Sequence, residues 1–176
     1  ALARESGIGC INMDLIAGLP GDSAEGFRAS LEQVLDLGPE NVTVHTLALK
    51  KGSRLMEEGG ALPSGEETAR MVDLSLEALE GAGYRPYYLY RQKYMSGGLE
   101  NVSWCLPGTE NHYNIIMMEE LQSVLSLGAG GVTKLVDRSS GRIVRLTNPK
   151  YPHDYLAMSA KVLEQKDEIL RFYREV

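Results

Sequence analysis

The sequence predicts an α/β fold followed by a smaller α+β extension. Strand, helix and strand patterns alternate twice before residue 93, each helix has a capping residue at its start and glycine at its end, and a hairpin pattern with a terminal amphipathic run follows residue 120. With 43% hydrophobic and 24% charged residues among 176, the chain can bury a sizeable core.

Cys10 to Ala17 is mostly apolar, carries Asn12 and Asp14, and is closed by Gly18-Leu19-Pro20-Gly21, which predicts a short buried strand. Ser23 then offers an N-cap hydroxyl with Asp22 and Glu25 at the favourable positive end. Phe27, Leu31, Val34 and Leu35 recur at helical spacing until Gly38-Pro39. Asn41 to Leu49, with Val42, Thr43 and Val44, is β-branched and predicts the next strand. Strands over 11–17 and 42–48, joined by a 23–37 helix, make a parallel crossover unit.

The same unit repeats. Ser64-Gly65-Glu66-Glu67 has capping-box spacing, and Met71, Leu74, Leu76 and Leu79 carry a helix to Gly81-Ala82-Gly83. Tyr84 to Tyr90 predicts a third strand, with Arg91-Gln92-Lys93 at its C-terminal end, the ligand side of a parallel sheet. Residues 94–111, rich in Gly, Pro and Asn, read as a long functional loop. A short helix over 111–121 follows, then an antiparallel hairpin from the 123–136 segment through a turn at Asp137 to Gly141 into Ile143–Leu146. From Pro152, Tyr155, Met158, Val162, Ile169 and Phe172 predict one long amphipathic helix.

Composition excludes several functions. Eighteen Lys and Arg against 24 Asp and Glu give a net charge of −6 and no basic run, so nucleic acid and anionic membrane are poor partners. No stretch approaches the roughly 18–20 apolar residues of a membrane helix, and a cytoplasmic setting is expected. Cys10 and Cys105 cannot form a disulfide scaffold, nor by themselves hold zinc or an iron-sulfur centre. Residues 1–6 resemble the last turns of a helix with no start signal and no initiator Met, so a fragment cut inside a helix–strand unit is expected.

Few local patterns carry chemistry. His45, His112 and His153 are never within four residues of one another or of a cysteine, and read as surface or structural residues. Leu127-Gly128-Ala129-Gly130-Gly131 lacks the third glycine of a dinucleotide loop, which falls on Thr133, and reads as close packing in a strand or bulge. Asp14 stands out, because a carboxylate in an apolar strand costs several kcal/mol to bury unless bonded. It either pairs with a backbone group or an Arg, or points at a ligand near the strand's end, and its position favours the ligand.

The strings Asn12-Met-Asp-Leu-Ile-Ala-Gly-Leu-Pro-Gly21 and Val42-Thr-Val-His-Thr-Leu-Ala-Leu49 resemble the fifth and sixth strand regions of the oxygen-independent coproporphyrinogen III oxidase family of radical S-adenosylmethionine enzymes. Tyr90-Arg-Gln-Lys93, Glu100-Asn101-Val102, Tyr113-Asn114 and Leu127-Gly-Ala-Gly130 resemble the C-terminal part of its coproporphyrinogen-oxidase-like branch. The resemblance implies the last strands of a partial (β/α)6 TIM-like barrel over residues 1–93, with 94–176 as a C-terminal α+β extension and the N-terminal half of the barrel as the missing partner. It implies S-adenosylmethionine as cofactor, with Asp14 contacting it, Ile16 beside the adenosyl group and Ala48 giving a backbone contact. An apolar Ile suits the adenine face, a small Ala allows close approach, and a carboxylate accepts from ammonium or ribose hydroxyls. Ile16 and Ala48 suit a plain strand core equally well.

The family's [4Fe–4S] cluster uses a Cys-x3-Cys-x2-Cys motif that this sequence lacks, so the cluster is expected only in the full-length parent. In that parent the resemblance implies a 5'-deoxyadenosyl radical that starts oxidative decarboxylation of propionates to vinyls in haem biosynthesis. The small-molecule substrate, a porphyrinogen with four carboxylates, calls for cations near the strand ends, and Arg91 and Lys93 are the candidates, with solvated surface cations as the alternative. No catalytic residue or metal ligand is assigned. The rival readings are a haem carrier of the same family and an inactive structural fragment.

Overall fold

The computed structural model describes residues 2–49, 53–58, 61–90 and 99–175. They divide into two compact units, Ala1–Asn111 and His112–Val176.

In the first unit, α1 (Leu2–Glu5) precedes β1 (Asn12–Ala17), α2 (Ala24–Leu37), β2 (Asn41–Thr46), α3 (Arg54–Glu58), α4 (Gly65–Gly81), β3 (Arg85–Tyr90) and β4 (Asn101–Cys105). The predicted caps form: Ser23 Oγ accepts from the Gly26 N–H at 3.1 Å, and Ser64 Oγ accepts from the Glu67 N–H at 3.0 Å. Glu67 reaches across to accept the Ala24 N–H at 2.8 Å, so a side chain on α4 satisfies an orphan donor in the first turn of α2. Gly38 ends α2 with φ of 58°, the left-handed geometry that favours glycine there.

β1 and β2 pair in parallel from Asn12↔Asn41 to Ala17↔Thr46, as the crossover pattern predicts. The second repeat departs from expectation. The sheet order is β1-β2-β4-β3, with β4 antiparallel to both neighbours, so β3 is separated from β2 by a strand from the stretch read as a loop. The reason is visible in Val102 and Trp104, which alternate with Asn101, Ser103 and Cys105: Trp104 lies opposite Val42, and Val102 opposite Val44. Residues 101–105 therefore lie inside the first unit's sheet, between β2 and β3, and that compact unit runs to Asn111.

α2 and α4 cover one face of this sheet. Phe27, Leu31 and Val34 of α2 and Met71 and Leu79 of α4 join Ala17, Val42, Val44 and Trp104 in one buried cluster. The junction is tight at Gly18, whose φ is 88°, where a Cβ would lie 3.1 Å from the Thr68 side chain. A side chain there is strained in its backbone and crowded against α4.

In the second unit α5 (His112–Met118) precedes a hairpin of β5 (Val132–Val136) and β6 (Ile143–Thr147), then α6 (Pro152–Ala157) and α7 (Ser159–Glu175). The hairpin matches expectation. The single long terminal helix does not, because the backbone breaks at Met158, with φ −100° and ψ 34°. Leu135, Leu146 and Phe172 form a small separate core.

The turn between β5 and β6 is held by Asp137. Ser139 donates to Asp137 Oδ1 from both its N–H and its hydroxyl, at 2.8 and 2.6 Å, and the Ser140 hydroxyl donates to Oδ2. These bonds to the charged form lower the carboxyl from its ordinary 3.8 to about 2. A depressed folded value means that the stabilisation is present above about pH 4 and is lost as pH falls toward 2. The difference in thermal midpoint between wild type and Asp137→Asn, present at pH 6, is expected to close across that interval; a difference constant from pH 6 to 2 contradicts it.

Candidate functional site

The strand alternation gives the first unit's sheet two unlike faces. With Ala17, Val42, Val44 and Trp104 turned to the helices, Asn12, Asp14 and Ile16 of β1, Thr43 and His45 of β2, Asn101 and Ser103 of β4 and Tyr88 and Tyr90 of β3 share the opposite face by register. β1 is thus half-exposed in this chain and not buried on both sides as its apolar run suggests: the Asp14 side chain is 57% exposed. Met13 and Leu15 alternate with Asn12 and Asp14, but Ile16 on the polar face extends the apolar run and masks the alternation.

Hydrogen bonds link the polar face laterally. Asn12 Nδ2 donates to Asp14 Oδ1 at 2.5 Å, the Thr43 hydroxyl donates to Asn12 Oδ1 at 3.0 Å, and the Ser103 hydroxyl donates to Thr43 Oγ1 at 2.8 Å. His45 Nε2 lies 3.5 Å from Asp14 Oδ2, and His45 Nδ1 lies 3.1 Å from the Tyr90 hydroxyl. Asn101, 1% exposed, accepts the Thr46 N–H at 2.7 Å and so ties the end of β2 to β4. Among the described residues the groups beside the Asp14 carboxylate are Asn12 and His45 rather than a backbone group or an arginine.

At the C-terminal end of β1 and β2 this face opens into a cleft of about 360 Å³ lined by Asp14, Ile16, His45, Thr46, Leu47, Ala48, Tyr90 and Asn101. All three residues proposed from sequence to meet the cofactor, Asp14, Ile16 and Ala48, line it together. Arg91 and Lys93, the substrate candidates, lie outside the described residues. The sequence alone marks His45 as a surface or structural residue. Its signal is its place opposite Ile16 in the parallel register, which two separate strands reveal only once paired.

The chemistry of these groups suits a ligand with donors and an apolar face. A carboxylate accepts from ammonium or hydroxyl groups, Ile16 is 39% exposed and offers apolar cover, and the parallel ladder continues through the Leu47 N–H to Ala17 O bond at 2.9 Å, bringing backbone to Ala48. The thiols are placed differently. Cys105 is fully buried, and burial, aided by the charges of Glu110 and Cys10, pushes its thiol up to about 11. Cys10 is exposed, with Asn41 Nδ2 donating to its sulfur at 3.2 Å. Among the described residues no three of His, Cys, Asp and Glu are grouped to hold a metal ion. At pH 8 Cys105 is thiolate in only about one molecule in a thousand, so iodoacetamide is expected to label Cys10 alone in the folded protein and both cysteines after denaturation. Equal native labelling of both refutes the burial of β4.

A sheet with a parallel strand–helix–strand unit, helices on one face and a polar cleft at the strand ends defines a mixed α/β scaffold. No family model matches the sequence. The chain is 40% identical over 99% of its length to the oxygen-independent coproporphyrinogen-III oxidase-like protein HemZ of Bacillus subtilis, and spans 35% of that protein. It is 24% identical over 96% of its length to the heme chaperone HemW of Escherichia coli, of which it spans 40%. Its fold matches the coproporphyrinogen III oxidase HemN of Escherichia coli, a radical SAM enzyme, with a TM-score of 0.54 and 20% identity, covering 74% of this chain and 31% of that one. The chain belongs to the coproporphyrinogen III oxidase-like family and covers a C-terminal part of such a protein. Among the described residues no helix is long and apolar enough to cross a membrane.

Proposed function

We propose that the chain supplies the last strands of a partial (β/α)6 barrel in a cytoplasmic radical S-adenosylmethionine protein, with the polar face of its sheet as its ligand-facing wall. The observation that carries this reading is the meeting of Asp14, Ile16 and Ala48 in one cleft, on the face opposite α2 and α4. Asp14 accepts from the ammonium or ribose hydroxyls of S-adenosylmethionine, Ile16 covers its adenine, and Ala48 lets the backbone approach. The cofactor, when bound, supplies hydrogen-abstracting chemistry for the oxidative decarboxylation of porphyrinogen propionates to vinyls. Arg91 and Lys93 are proposed to meet the substrate's carboxylates.

The chain's own thiols do not fit the family's [4Fe–4S] cluster. Cys105 is buried in the sheet, Cys10 is engaged by Asn41, and the sequence has no third cysteine. Anaerobic reconstitution of the isolated chain is therefore expected to give no stoichiometric four-iron incorporation; a cluster spectrum at four irons per chain contradicts this.

A second reading, a haem carrier without decarboxylase activity, is supported by the similarity to a heme chaperone over 96% of the chain. The full-length protein, reconstituted anaerobically, separates the two. Conversion of coproporphyrinogen III to a vinyl product supports the oxidase reading, whereas tight stoichiometric haem binding without conversion supports the carrier.

A further inference from the structure

Resting on the ligand reading of the cleft given above, we infer that His45 is a positioning residue that fixes how Asp14 presents its carboxylate to a ligand bearing ammonium or hydroxyl donors. Asp14 is more than half exposed, and an exposed carboxylate turns freely unless its oxygens are engaged. Asn12 Nδ2 donates to Oδ1 at 2.5 Å, and the His45 ring stands beside Oδ2, with Nε2 at 3.5 Å, and limits its rotation. The carboxylate also lines the cleft.

The partners fix the roles of the imidazole nitrogens. An ionised carboxylate only accepts, so the nitrogen facing it, Nε2, carries the hydrogen. In the neutral ring Nδ1 then has a lone pair, and the Tyr90 hydroxyl donates to it at 3.1 Å. The ring is held edge-on to Tyr90, with centroids 6.3 Å apart at 71°, and Tyr90 is stacked against Tyr88 at 6.1 Å and 11°. Asp14, His45 and Tyr90 thus form a row across the sheet, in which each side chain limits the rotation of the next. This is the logic by which a second residue orients a ligand-binding carboxylate.

The test uses the full-length, anaerobically reconstituted protein and calorimetric titration with S-adenosylmethionine. His45→Ala is expected to weaken binding about two- to tenfold, the effect of losing one polar contact that orients the carboxylate. His45→Gln, whose amide nitrogen reaches the Nε2 position, is expected to recover most of that loss, while His45→Asn, which reaches only the Nδ1 position, recovers none. In an Asp14→Asn background His45→Ala is expected to add nothing further, since the two act as a unit.

A purely structural role lowers the thermal midpoint in step with affinity and does not separate Gln from Asn. Equal affinities for the Gln and Asn variants, or additive losses with Asp14→Asn, overturn the inference, and that comparison stands even if the Ala variant does not fold. If Asp14→Asn weakens binding while His45→Ala does not, only the positioning role falls. If Asp14→Asn itself leaves affinity unchanged, the ligand reading of the cleft falls with it.

Discussion

Phe27→Ala is expected to cost the first unit about 3–5 kcal/mol, the range for truncating a fully buried phenylalanine. Phe27 is 1% exposed on α2 and belongs to the cluster of Leu31, Met71, Val42 and Trp104 between helix and sheet. The loss combines the apolar transfer energy of the ring with a cavity that neighbours anchored in the sheet cannot collapse to fill. Trp104 is the chain's single tryptophan, is 1% exposed, and lies in the same cluster, so its emission reports on this packing directly. Leu37, the last residue of α2, is 60% exposed, and Leu37→Ala is expected to stay within about 0.5 kcal/mol. Urea unfolding followed by Trp104 emission compares the two. A Phe27→Ala cost near that of Leu37→Ala means that α2 does not pack on this face.

Local signals made α2, α4 and the first three strands legible, whereas α3 falls in a stretch that reads as polar loop. Ser23 and Ser64 cap where their spacing predicts, and Gly38 stops α2. Each is a short-range effect, decided within one helical turn. β4 was not legible because five residues between Gly- and Pro-rich stretches look like loop, and only Val42 and Val44, some sixty positions away, give Val102 and Trp104 an apolar face to pair beside. The same long-range pairing decided the site. Motif resemblance proposes Asp14, Ile16 and Ala48, while the meeting of these residues with His45 in one cleft depends on a register between strands that no local window contains. The break at Met158 has a milder cause. The apolar period runs on across it, so the pattern predicts one helix where the backbone makes two.

In the full-length protein, Asp14→Asn is expected to weaken S-adenosylmethionine binding about ten- to hundredfold while leaving the thermal midpoint nearly unchanged. Asparagine keeps the volume and one oxygen but removes the charge, so the loss is that of a charge-assisted hydrogen bond, about 1.5–3 kcal/mol. The small effect on stability follows from exposure: with its side chain 57% exposed, Asp14 has solvent as a partner, and its contacts to Asn12 and His45 lie on the open face rather than in the buried cluster. Affinity by anaerobic calorimetry and the midpoint by scanning calorimetry read the two contributions separately. A large drop in midpoint with unchanged affinity makes Asp14 a structural residue holding β1 to β2. A drop in affinity alone makes the carboxylate the point at which this sheet meets its ligand.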